Sequence, residues 1–153
     1  MAIFIFSKNS DNKLGCLFRI ASSQSVYDEN KSWQDDLYDL VTVEDIDYNA
    51  VKLCTKSVLF KNGDQVTYQN SEASYVNKDS LTSDINKVIL IIEEWLINNN
   101  SKPFASSVTT YLNYLKSIDV SSLTITEENP LNFSLEAYVE NQGITSIHPL
   151  ELL

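Results

Sequence analysis

Side chains able to do chemistry are sparse in this chain, and their spacing is the first test of function. His148 is the only histidine in 153 residues, and the only two cysteines are Cys16 and Cys54. A catalytic or metal-bound histidine needs a partner group at short range. His148 instead precedes Pro149 in an apolar tail, and it reads as a packed or surface imidazole. A metal site would need Cys16, Cys54 and a carboxylate to converge, which nothing in the spacing predicts. The adjacent acid pairs Asp35–Asp36, Glu93–Glu94 and Glu127–Glu128 do not share a helix face. With 21 acids in the chain, a remote carboxylate pair carries no signal of its own.

Nucleophile and phosphate motifs fare no better. No G-x-S-x-G elbow occurs, and three glycines at positions 15, 63 and 143 cannot form a phosphate-cradling loop. Asn132-Phe133-Ser134 fits a glycosylation acceptor only formally, since no secretion signal accompanies it. The expectation is a protein that is not an enzyme, with no catalytic, cofactor-binding or metal-binding residues and no cofactor.

The elements that would position any site are set by composition and period. A chain of 153 residues with 43% hydrophobic and 10% aromatic content fits one domain with an ample core. Two cysteines do not make a disulfide framework, and both sit in apolar-alternating segments that predict buried thiols. The opening residues Met1–Phe6 lack the basic and long apolar regions of a signal peptide. Val88–Ile92, the longest apolar run, is too short for a membrane span. These features predict a soluble protein, not secreted, without a membrane partner. A net charge of −10 disfavours nucleic-acid phosphate and suits a basic partner.

The first half has strand character: Ala2–Phe6 and Cys16–Ala21 as a hairpin around the polar 7–13 segment, with Arg19 interrupting the second strand, then Leu37–Val43. Ser25 to Trp33 allows a helical turn or two. The stretch from Thr42 or Glu44 to Cys54 reads as a short helix, with Ile46, Ala50, Val51 and Leu53 apolar and Lys52 near its end. Asn62-Gly63 between two β-forming runs predicts a hairpin turn.

The second half has helical period. Ser80–Asn98 places Leu81, Ile85, Val88, Ile89, Ile92, Trp95 and Leu96 on one stripe, with Asp79 or Ser80 as cap. Leu90, Ile91 and Ile97 widen that stripe and predict burial on more than one side. Phe104–Ile118 predicts the second arm of a helical hairpin, Ser121–Thr126 an edge strand, and Leu131–Asn141 a third helix ending at Gly143. The fold class expected is α+β: an antiparallel sheet of hairpins from the N-terminal half packed against a helical layer from the C-terminal half, as one domain spanning 1–153.

Residues 144–153 form an apolar tail after that helix stop. Frayed ends are usually polar, so Ile144, Ile147, Leu150, Leu152 and Leu153 are expected to dock, either in the same chain or as the partner-binding element. The eight tyrosines and two tryptophans could ring the core or supply a docking surface.

Ser134-Leu-Glu-Ala-Tyr138, Gly143 and His148-Pro-Leu-Glu-Leu152, together with the β-rich start and helical hairpin, resemble small virion-associated or tail-region proteins of T4-like tailed bacteriophages. The resemblance covers mainly the second half of the chain. It implies a non-enzymatic structural or protein-interaction role, as virion component or assembly factor, in the virion or the host cytoplasm. Its partners would be virion proteins or further copies of the chain. The alternative expectation is an acidic inhibitor or DNA mimic directed at a host protein.

Overall fold

The computed structural model describes residues 1–8, 14–31, 33, 35–61, 65–70 and 75–153. The chain folds as α+β. Strand β1 (Ala2–Lys8) lies at the centre of a three-stranded antiparallel sheet, between β2 (Leu14–Ala21) and β3 (Tyr38–Val43). Its alternation puts Ala2, Phe4 and Phe6 on one face and Ile3 and Ile5 on the other, and all five are buried. Both faces are therefore covered, which explains why this strand is an unbroken apolar run. Gly15 permits the close approach of β2, because a Cβ there would meet the Ser7 carbonyl oxygen at 2.5 Å.

Helix α1 (Gln24–Asn30) and helix α2 (Asp45–Lys52) flank β3 in sequence. The expected hairpin forms as a separate two-stranded sheet of β4 (Lys56–Lys61) and β5 (Gln65–Asn70). Its Asn62-Gly63 turn lies outside the described residues, as do residues 9–13 of the first hairpin connection.

Helices α3 (Lys78–Asn99), α4 (Ala105–Ser117) and α5 (Leu135–Asn141) build the second layer. Leu81, Ile85, Val88 and Ile92 of α3 meet Val108, Tyr111 and Leu115 of α4, then Leu135 and Val139 of α5. At about 1.5–3 kcal/mol per fully buried large apolar side chain, this stripe is the main cohesive element of the fold.

Several local expectations are corrected. Asn77 caps α3, accepting from Ser80 N at 2.8 Å, so the helix starts earlier than Asp79 or Ser80 as cap would place it. Leu90, Ile91 and Ile97 do not widen the buried stripe; Leu90 is 66% and Ile97 76% exposed, because no described element covers that side of α3. Ile46 likewise faces outward from α2, opposite Tyr48 and Val51. No strand forms over 121–126. Asp119 caps a 3-10 turn at 120–122, and Ile125 is buried in the helical core. Helix α5 begins at Leu135, not Leu131, because Ser134 is the residue whose hydroxyl caps it; Leu131 instead forms a two-way backbone bridge with Tyr75. Gly143 takes the expected positive φ, +81°, after the helix. Cys16 is exposed and only Cys54 is partly buried, which corrects the expectation of two buried thiols.

The tail docks within its own chain. Ile147, Leu152 and Leu153 are buried, and Ile144 and Leu150 are half-buried. Ile144, Ile147 and Leu152 pack in the helical core, Leu150 against one face of the three-stranded sheet, and Leu153 on the opposite face. Trp95 Nε1 donates to the Leu153 carbonyl at 2.8 Å. Of the two docking alternatives for these five side chains, the structure shows packing within the same chain. No helix among the described residues is long and apolar enough to cross a membrane.

Candidate functional site

Polar side chains are gathered where the end of α2, the start of α5 and the 146–151 segment meet. Each is delivered by a local device. Ser134 caps α5, accepting from Ala137 N at 3.1 Å, while its hydroxyl donates to the Leu53 carbonyl at 2.7 Å. That pair of bonds ties α5 to the exit of α2. A 3-10 turn, 149–151, is closed by a reciprocal cap: Leu150 N donates to His148 Nδ1 at 3.0 Å, and His148 N donates to Glu151 Oε2 at 2.8 Å. Pro149 at the first turn position supplies a preset φ.

One part of this layer is an ionic network. Lys52 Nζ lies 3.4 Å from Glu140 Oε1 and 3.9 Å from Glu151 Oε1. The Tyr48 hydroxyl donates to Glu151, and Ser146 donates to Glu140 Oε1 through N at 2.9 Å and Oγ at 3.0 Å. Burial pushes Glu151 up, and Lys52, the Tyr48 O–H bond and the His148 N–H bond only partly restore it. Burial also raises Glu140, but the Ser146 bonds and Lys52 outweigh it and hold Glu140 below its ordinary value. Burial and the Glu151 charge together push the Tyr48 hydroxyl far up, so it remains a donor.

Beside the network stand Cys54, Glu136 and His148. One donor atom from each lies within 4.8 Å of the others. The Cys54 thiol donates to Glu136 Oε2 at 3.8 Å. Cys54 lies just past α2 in a left-handed backbone conformation, φ 58°, where glycine or asparagine is the usual occupant. Burial, then the Glu136 charge, pushes the thiol up to about 12. Burial pushes Glu136 up to about 7. Burial and Lys52 hold His148 down to about 4, so its imidazole is neutral at pH 7. The carboxylate of Asp84, on α3, accepts from the Tyr75 hydroxyl and adds negative charge toward all three groups. Among the described residues no lysine or arginine forms an ion pair with Glu136, which is only 6% exposed. A pocket of about 270 Å³ between Val51, Val58, Leu17 and Leu150 opens onto Cys54 and His148.

Cys54 and His148 are both visible in the sequence as reactive residue types, but only the fold brings them together; Cys16 lies apart, on β2. Glu136 escapes sequence reasoning. Its one signal is the α5 period: Leu135 and Val139 are buried, so the residue next to Leu135 turns partly inward, and an acid there is conspicuous. Separations of 82 residues from Cys54 to Glu136 and 12 from Glu136 to His148 match no ligand spacing.

Comparison of the chain with protein-family models, curated proteins and solved structures gives no match.

Proposed function

We propose that this chain is a non-enzymatic protein-interaction component, acting as a virion component or assembly factor of a tailed phage, and that the outer face of α3 is its contact surface. The observation that carries this reading is the exposure of Leu90 and Ile97, seven residues apart on one side of the longest helix, with Ile91 beside them. Two large aliphatic side chains left this open, two turns apart, form a stripe suited to a partner. The net charge of −10, with Glu94 in the same stretch, favours a partner whose apolar contact is flanked by lysine or arginine. The phage setting rests on the resemblance of residues 134–152 to T4-like phage proteins.

The test is affinity capture from infected cells with the native chain and with Leu90→Glu/Ile97→Glu. The reading expects one basic phage protein to co-purify with the native chain and to be lost with the double variant. Identical captured proteins in both experiments would sink it. Both changes are on exposed positions, and thermal unfolding should differ little between the two chains.

A further inference from the structure

We propose that Cys54, Glu136 and His148 form a binding site for one divalent transition-metal ion, with zinc(II) the ion that best fits the donors. The three groups offer sulfur, oxygen and nitrogen, a mixed set that suits a borderline-soft tetrahedral cation and not calcium or magnesium. Their donor atoms lie within 4.8 Å of one another, close enough to converge on one ion by side-chain rotation. The fourth position faces the pocket that Cys54 and His148 line, so water or a small ligand completes the shell.

Three further observations point to a cation here. Glu136 is buried without a counter-ion among the described residues, and buried carboxylates are normally paired or metal-bound. The Tyr111 hydroxyl, fully buried near Glu136, has no hydrogen-bond partner among the described residues. Cys54 occupies a left-handed position that glycine fills without strain, and such outliers cluster at functional sites.

Coordination has a definite proton balance. The Cys54 thiol loses its proton, and so does Glu136 where it is protonated; both protons go to solvent, so affinity rises with pH. His148 Nδ1 already accepts from Leu150 N, which leaves Nε2 as the nitrogen for the metal. Neutral imidazole then carries its proton on Nδ1, and the Leu150 N–H gives up that acceptor. Metal binding is thereby coupled to the 149–151 turn: the Leu150 N–H bond to Nδ1 and the Cys54 thiol's bond to Glu136 are exchanged for three coordinate bonds.

The experiment titrates the chelator-treated full chain with zinc(II) by calorimetry and with cobalt(II) by electronic absorption at pH 8. The expected result is one ion per chain and a thiolate-to-cobalt charge-transfer band. Cys16→Ser keeps that band and Cys54→Ser abolishes it. His148→Asn, which retains an oxygen acceptor for Leu150 N, and Glu136→Gln lower zinc affinity on the order of 100-fold or more. On the native chain, cobalt broadens NMR signals around Cys54, Glu136 and His148, and zinc speeds exchange of the Leu150 amide; this reading needs no variant to fold. Absence of the band from the native chain overturns the proposal, as does its loss with Cys16→Ser or broadening centred on the exposed acids.

Discussion

Two neighbouring groups of polar side chains meet burial in opposite ways. Glu140 and Glu151 share Lys52 as their cation, and they accept hydrogen bonds from Tyr48, Ser146 and the His148 backbone. Cys54, Glu136 and His148 lie beside them with no lysine or arginine ion-paired to Glu136 among the described residues, and their arrangement favours the uncharged form of each. The difference lies in one residue, because Lys52 reaches toward Glu140 and Glu151 and not toward Glu136. A buried layer can thus be architectural on one side and receptive to a cation on the other, with the cap of His148 shared between them.

Breaking the ionic side should cost most. Lys52→Ala strands Glu151 in the interior, and loss of one partner of a buried pair costs about 3–5 kcal/mol. Urea unfolding at pH 7 measures it; a loss below about 1 kcal/mol would erase the contrast between the two sides.

The receptive side should show itself through pH in the metal-free chain. Glu136 has a folded value of about 7 against 4.5 unfolded. Its contribution is therefore fully present below about pH 4.5 and is lost as pH rises through about 7, a change on the order of 3 kcal/mol. Glu136→Gln removes that decline, so the variant gains on the native chain between pH 5 and pH 8. Parallel denaturation curves at the two pH values check it, and an equal difference at both would contradict the assignment.

His148 has the opposite sign. Its folded value of about 4 lies below 6.5, so its contribution is present above about pH 6.5 and is lost as pH falls through about 4. The size is again on the order of 3 kcal/mol. The two contributions change in opposite directions over nearly the same window and offset one another between about pH 4.5 and 6.5, so Glu136→Gln should leave metal-free stability rising with pH there and His148→Asn should leave it falling.

The smallest effect is expected at Cys54. Cys54→Gly relieves the left-handed backbone while giving up some packing, and the net change in metal-free stability should stay within about 1 kcal/mol. A larger loss would make Cys54 a packing residue first.

Much of this fold is legible in the sequence because its signals are local. An unbroken β-forming apolar run marks β1, the seven-residue repeat of buried positions marks α3, and Gly143 marks the end of α5. Misreadings arise where tertiary cover decides: Leu90 and Ile97 are as apolar as Ile92, but no described element packs over them. The centre is illegible for a related reason. Cys54, Glu136 and His148 come from a helix exit, a first helical turn and a tail, and their convergence depends on Ser134 bridging α5 to Leu53, a contact that no spacing encodes.

The 146–153 segment has a consequence for the order of events during folding. Its side chains enter the helical core and both faces of the three-stranded sheet, and it supplies contacts across long stretches of chain, Tyr48 to Glu151 and Trp95 to Leu153 among them. Loops of that span close late and slowly. Neither half can finish its interior before this segment arrives, so the hairpins and the helices should gain full protection from hydrogen exchange in a single late step.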